Sequence, residues 1–255
     1  MLEVRKISKK FGGIKALNEV SFDLNPGEVV GYLGPNGSGK STTMKILTGL
    51  LKPSTGEIYY RNESIKKDLY SYKSKIGYSP ENANLYRYMS GYDYLLLIGR
   101  LRKIKEKELN RKIEILTEIF EIDNSIFNSI STYSKGMEQK IVIISTIIHN
   151  PDILYFDEPL SGLDIKTVSI FKEMITKMSV EGKIILYSSH LVEIVEKLCN
   201  RLIILNKGRI VKDEYIKILK KSSGSEFISD ILREELDPEK ISKNAEIIMN
   251  TIMEQ

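Results

Sequence analysis

Eight consecutive residues, Gly34-Pro35-Asn36-Gly37-Ser38-Gly39-Lys40-Ser41, constrain this chain more than any other stretch. They form a G-x-x-x-x-G-K-S sequence between a short apolar run, Glu28 to Leu33, and a segment, Thr42 to Leu50, with helical apolar spacing at Met44, Leu47 and Leu51. The pattern predicts strand, tight loop and helix in that order. Glycines there let the backbone bend so that successive N–H groups point inward at an anion, and the helix adds the positive end of its dipole. Lys40 would bring a point charge to the β- and γ-phosphates of a nucleotide, and Ser41 a hydroxyl to Mg²⁺. The nucleotide-binding set read from this stretch runs from Gly34 through Thr42. A chance glycine-rich turn would not meet all eight positions in this setting.

A second signal is Ile153-Leu154-Tyr155-Phe156-Asp157-Glu158-Pro159, an apolar strand ending in adjacent carboxylates. Alone, the pair reads as solvated loop acids. Beside a phosphate loop, Asp157 reads as a ligand to Mg²⁺, generally through water, and Glu158 as the group that orients or deprotonates the water attacking a γ-phosphate.

The rest of the chain is organised around these two signals. Further strands are expected at Leu2 to Ile7, Val20 to Leu24, Gly56 to Tyr60, Lys75 to Ser79, Lys183 to Ser188 and Leu202 to Leu205, the last joined to Arg209–Val211 by an Asn206-Lys207-Gly208 turn. Helical patterns separate several of them, which argues an α/β sheet with a parallel core. Between Gly77 and Ile153 lie three helical stretches, Tyr92 to Leu101, Lys105 to Phe120 and Gly136 to His149, read as an inserted helical subdomain over about 83–150. The main domain is expected over 1–220, with Ser222-Ser223-Gly224 as a linker into a helical tail over 221–255.

With 255 residues, 28% charged residues and a net charge of +4, composition neither suggests disorder nor requires a nucleic-acid partner. No run approaches the roughly 20 apolar residues of a membrane span. The start, Met1-Leu2-Glu3-Val4-Arg5, lacks a signal peptide's apolar stretch and Cys199 is the single cysteine, so a cytoplasmic location is expected.

Three further segments narrow the class. Tyr133-Ser134-Lys135-Gly136-Met137-Glu138-Gln139-Lys140 resembles the signature motif of ATP-binding cassette (ABC) proteins, Ser161-Gly162-Leu163-Asp164 their D-loop, and Ser188-Ser189-His190 their switch-histidine loop. Phe11 stands where that family has its adenine-stacking aromatic. The resemblance, from about Leu2 to Val211, implies an α/β fold of the P-loop NTPase type: a mainly parallel core, an N-terminal antiparallel β region and the inserted helical subdomain. It further implies two cassettes packed head to tail. Each ATP would lie between the phosphate loop of one and Ser134, Lys135 and Gly136 of the other, with His190 on the γ-phosphate and Asp164 coupling the two sites.

Two departures qualify the match. Glu81, in Lys75-Ile76-Gly77-Tyr78-Ser79-Pro80-Glu81, replaces the family's usual glutamine near the metal, and the signature has Tyr133, Lys135 and Met137 in place of leucine, the first glycine and glutamine. Both forms look like the exporter-type (ABC-2-like) branch, which works with separately encoded multi-spanning permeases. The expected function is therefore an ATP-hydrolysing subunit, peripheral at the inner face of the membrane through its permease, as a homodimer or as a heterodimer with a second cassette. Tyr86, Tyr88, Tyr92 and Tyr94 border the region where the family receives a helix of the membrane subunit; ordinary packing explains any one of them equally well. The rival reading is a soluble ABC ATPase of DNA repair or translation, disfavoured by a single motif set without sustained heptads. His149 at a helix end reads as structural, and Cys199 as a core thiol.

Overall fold

The computed structural model describes residues 1–189 and 192–223, together with Lys243 and Ile248. His190 and almost all of the helical tail expected over 221–255 therefore lie outside the described residues. In chain order the elements are β1 (Leu2–Phe11), β2 (Ile14–Leu24), β3 (Val29–Leu33), α1 (Lys40–Leu47), β4 (Thr55–Tyr60), β5 (Glu63–Ser64), α2 (Leu69–Ser74) and β6 (Ile76–Ser79). Then follow α3 (Gly91–Leu101), α4 (Glu106–Ile119), α5 (Lys135–Ile147), β7 (Ile153–Asp157), α6 (Ile165–Val180), β8 (Ile184–Ser188), α7 (Val192–Leu198), β9 (Arg201–Asn206), β10 (Arg209–Tyr215) and α8 (Ile216–Ser223).

Two sheets form. The larger has the order β10-β9-β3-β8-β7-β6 and is parallel except for β10, which returns antiparallel to β9 through the Lys207-Gly208 turn. Every residue of β3, β7 and β8 is buried, as expected of central strands covered on both faces, and their near-continuous apolar runs reflect it. The smaller sheet, β2-β1-β4-β5, is antiparallel and supplies the N-terminal β region. It packs on one face of the large sheet with α1 between, where Leu2, Val4, Leu17, Met44, Tyr155 and Leu186 share one apolar cluster. On the other face α3 to α6 complete a second cluster, joining Leu95, Leu109, Ile141, Phe156, Phe171 and Tyr187.

This topology places chemistry along one edge. β3 delivers the phosphate loop, β7 ends on Asp157, and β8 runs between them with Ser188 in register with both Tyr32 and Asp157. In open α/β sheets ligands bind outside the carboxyl ends of the strands, and all these groups lie at that end. Among the described residues no helix is long and apolar enough to cross a membrane. At the other end of the domain, α8 continues through Ser222 and Ser223, so the expected linker begins as helix.

Candidate functional site

The loop after β3 is held by contacts that only glycine allows. Gly34 has φ 154 and a β-carbon there would stand 2.1 Å from the carbonyl oxygen of Leu205; Gly39, at φ 111, would place one 2.8 Å from that of Ala16. Gly37, at φ 80, has open space around it and is fixed by backbone angle alone. The loop is thus clamped against β2 and β9. Helix α1 begins directly after Gly39 with no side-chain cap, leaving its first N–H groups without a side-chain acceptor. Ser38 Oγ is likewise buried without a hydrogen-bond partner in the protein. An anion fits a cradle of this kind.

Lys40 is only 9% exposed and its Nζ donates to the carbonyls of Gly34 at 2.6 Å and Pro35 at 3.3 Å. Burial lowers its pKa, opposed by the charges of Glu158, Asp157 and Glu81. Asp157 is 2% exposed, and burial raises its pKa above the ordinary aspartate value, with the Ser41 hydroxyl opposing and the charge of Glu81 reinforcing the shift. A buried carboxylate so placed is short of positive charge.

Ala16, Asn36, Gly37, Gly39, Lys40, Ser41, Thr42, Glu81, Asp157 and Glu158 line a single cavity of about 570 Å³. The two widely separated sequence signals therefore meet, and Glu81, just beyond β6, joins them. Ser41, Asp157 and Glu81 are oxygen donors of the kind taken by Mg²⁺, a cation that keeps waters and shares phosphate oxygens with one or two carboxylates. Glu158 sits in the left-handed region at φ 50, its N–H donating to the carbonyl of Ser188 at 3.0 Å, and Ser189 Oγ donates to its carboxylate at 3.3 Å. A larger groove of about 760 Å³ between α4 and α6 combines apolar groups such as Leu116, Phe120 and Met174 with the charged Glu173, Lys177, Glu181 and Lys183, and holds none of the residues of the phosphate loop or the acidic strand end.

The remaining candidates are elsewhere. Ser134, Lys135 and Gly136 do not line the cavity. Ser134 caps α5, accepting from Met137 N–H at 3.3 Å, and Lys135 is exposed. Asp164 caps α6, accepting from the Thr167 N–H and hydroxyl at 2.8 and 2.7 Å and pairing with Lys140 at 3.2 Å. These hydrogen bonds, led by that from the Thr167 N–H, hold its carboxyl well below the usual range. Phe11 is 48% exposed at the end of β1, with Lys9 Nζ 5.2 Å from its ring centre. His149 is placed as a structural group: its Nε2 meets the carbonyl of Ile76 at 3.0 Å, and burial, with Arg102 next, pushes its pKa down to about 4. Cys199 is buried, which pushes its thiol pKa up. Sequence reasoning missed Ala16 and the roles of Gln139 and Lys140. Ala16 comes from β2, a strand expected only from Val20 onward, so nothing adjacent to the loop pointed to it.

The family model described as "ABC transporter" matches residues 17–161. An ABC transporter ATP-binding protein of Methanocaldococcus jannaschii is 39% identical over 210 residues, covering 82% of this chain and 76% of the relative. The ABC transporter ATP-binding protein NatA of Bacillus subtilis is 36% identical over 234 residues, covering 91% and 95%. A solved ATP-binding subunit of an ABC transporter superposes with a TM-score of 0.81 at 28% identity, covering 95% of this chain and 98% of that one. A dimeric ATP-binding cassette in a post-hydrolysis state, bound to ADP and Pi, gives 0.78 at 25% identity over 85% and 99%. The motifs, the fold and the relatives agree: this chain belongs to the ABC transporter family and is one of its ATP-binding, ATP-hydrolysing cassettes.

Proposed function

We propose that the chain is the ATPase subunit of a membrane exporter, closing with a second cassette around two nucleotides and driving a separate multi-spanning permease at the inner face of the membrane. The convergence of Lys40, Ser41, Glu81, Asp157 and Glu158 on one cavity carries the ATPase part of this reading. The dimeric neighbour and a relative described as a Nod factor export ATP-binding protein, from Cupriavidus pinatubonensis and 30% identical over 213 residues, support the dimer and the direction.

ATP phosphates would lie along the loop from Gly34 to Thr42, and Lys40 would exchange its two carbonyl partners for phosphate oxygens. Ser41, Asp157 and Glu81 would hold Mg²⁺, whose charge offsets that developing on the transferred phosphoryl group. Glu158, steadied by Ser189, would orient the attacking water; as its oxygen bonds the γ-phosphorus and the bond to the β-bridging oxygen breaks, the water's proton passes to the carboxylate. Ser134, Lys135 and Gly136 would close the cage from the second cassette, Asp164 would bridge the two sites, His190 would contact the γ-phosphate, and the exposed ring of Phe11 would stack on adenine.

Tyr86 and Tyr88, 49% and 81% exposed with ring centres 6.0 Å apart, are proposed as part of the permease contact. Affinity-tagged chain purified from detergent-solubilised native membranes should retain a multi-spanning protein, and Tyr86→Ala with Tyr88→Ala should lose it without losing ATP binding. Retention of ribosomes or DNA-processing proteins with no membrane partner would contradict the transporter reading.

A further inference from the structure

Helix α5, which begins at the Ser134 cap, is fastened at three points to the segment that follows Glu158. Gln139 Nε2 donates to the carbonyl of Pro159 at 2.9 Å, and Gln139 is only 7% exposed. Lys140 pairs with Asp164 at 3.2 Å. At Gly136 an added β-carbon would lie 2.7 Å from the carbonyl oxygen of Gly162, so the two backbones are in direct contact. Glu158 itself keeps a left-handed φ of 50, a conformation that a non-glycine residue holds only where its surroundings impose it.

The three fastenings differ in strength. Asp164 is half exposed and already satisfied by Thr167, so its pair with Lys140 is screened and replaceable. The Gln139 bond is buried, and its acceptor belongs to the residue directly after Glu158. Removing its donor would leave a buried carbonyl unsatisfied and free Pro159 from the helix.

We propose that Gln139 is a positioning residue that links the two catalytic sites: by holding Pro159 against α5, it sets the carboxylate of Glu158 according to whether the Ser134 end of the same helix is engaged by the second cassette's nucleotide. Occupation of one site thereby orients the water-activating group of the other. The inference rests on the two-cassette reading above.

The test is Gln139→Met, which keeps length and removes the donor. Turnover against ATP concentration, equilibrium binding of a fluorescent ATP analogue and thermal unfolding are measured on the full chain. Maximal turnover should fall about tenfold, a fraction of the roughly 100-fold that a full ångström of misplacement can cost. The Hill coefficient should drop toward that of independent sites, while the analogue's Kd stays within about twofold, since binding of ATP itself loses no contact. Gln139→Glu gives a second readout: its ionised carboxylate cannot donate but its protonated form can, so the ratio of its turnover to wild type should rise as pH is lowered. Unchanged turnover and Hill coefficient in both variants would overturn the proposal. So would parallel losses of turnover, affinity and melting temperature, or failure of both to fold, each of which assigns Gln139 to folding alone. A wild-type chain that hydrolyses ATP without cooperativity would instead overturn the two-cassette reading.

Discussion

The Nζ of Lys40 lies 2.6 Å from the carbonyl oxygen of Gly34, the residue that opens its own loop. The lysine thus occupies ground that phosphate would take, and burial already lowers its pKa. Lys40→Met should weaken ATP binding by roughly 10- to 100-fold, the loss of a charge-assisted contact of about 1.5–3 kcal/mol. The melting temperature of the nucleotide-free protein should change little, because the carbonyls it caps belong to Gly34 and Pro35, which are only partly buried. Titration of a fluorescent nucleotide and a melting curve check both halves.

Asp157 supplies a prediction with a sign. Its pKa is raised in the folded state, so folding favours the protonated form. The unfolded chain binds fewer protons in the window above the ordinary aspartate value, and nucleotide-free stability should fall as pH rises through it. Asp157→Asn should remove that slope and raise the melting temperature of the nucleotide-free protein at neutral pH. The same variant should lose Mg²⁺-dependent turnover. A lower melting temperature without nucleotide would count against the buried-charge argument.

His149 carries the opposite dependence on acid. Burial pushes its pKa down to about 4, below the roughly 6.5 of an exposed imidazole. The unfolded chain takes up a proton as pH falls below that value and the folded chain does not until about 4, so stability should be lost across this interval. His149→Gln should flatten the pH dependence of the melting temperature there and leave ATP turnover at neutral pH intact. An unchanged slope would show that other groups dominate acid unfolding.

Gly136 meets the carbonyl oxygen of Gly162 too closely for a side chain. Gly136→Ala, in a helix that alanine otherwise favours, should displace the 161–164 segment and reduce turnover by about tenfold or more while sparing nucleotide binding to the phosphate loop. Equal binding with reduced turnover is the expected pair of results; wild-type turnover would show that the contact relaxes without consequence.

The site was legible where its residues are contiguous. The eight positions from Gly34 to Ser41 encode their own geometry, and the apolar run ending at Asp157 announces a buried strand with a polar tip. The parallel core was equally visible, because β3, β7 and β8 are buried on both faces and carry unbroken apolar runs. What was not legible depends on partners brought together by the fold. Ala16 belongs to the Ile14–Glu19 half of β2, where Lys15, Asn18 and Glu19 hide a strand held by pairing with β1. The start of α1 at Lys40 rather than Thr42 is set by Gly39 in a left-handed conformation, with no side-chain cap to mark it. Gln139 looks like any polar helix residue until the carbonyl of Pro159, from another segment, is placed beside it.

The most direct measurement is steady-state ATP hydrolysis by the purified chain and by Glu158→Gln, with nucleotide binding and association state followed in parallel. Glu158→Gln should bind ATP as well as wild type, turn it over at least about 100-fold more slowly, as expected for loss of a positioned proton acceptor, and accumulate as an ATP-bound dimer. A Glu158→Gln variant that hydrolyses ATP at the wild-type rate would remove the carboxylate from the chemistry and contradict the central claim.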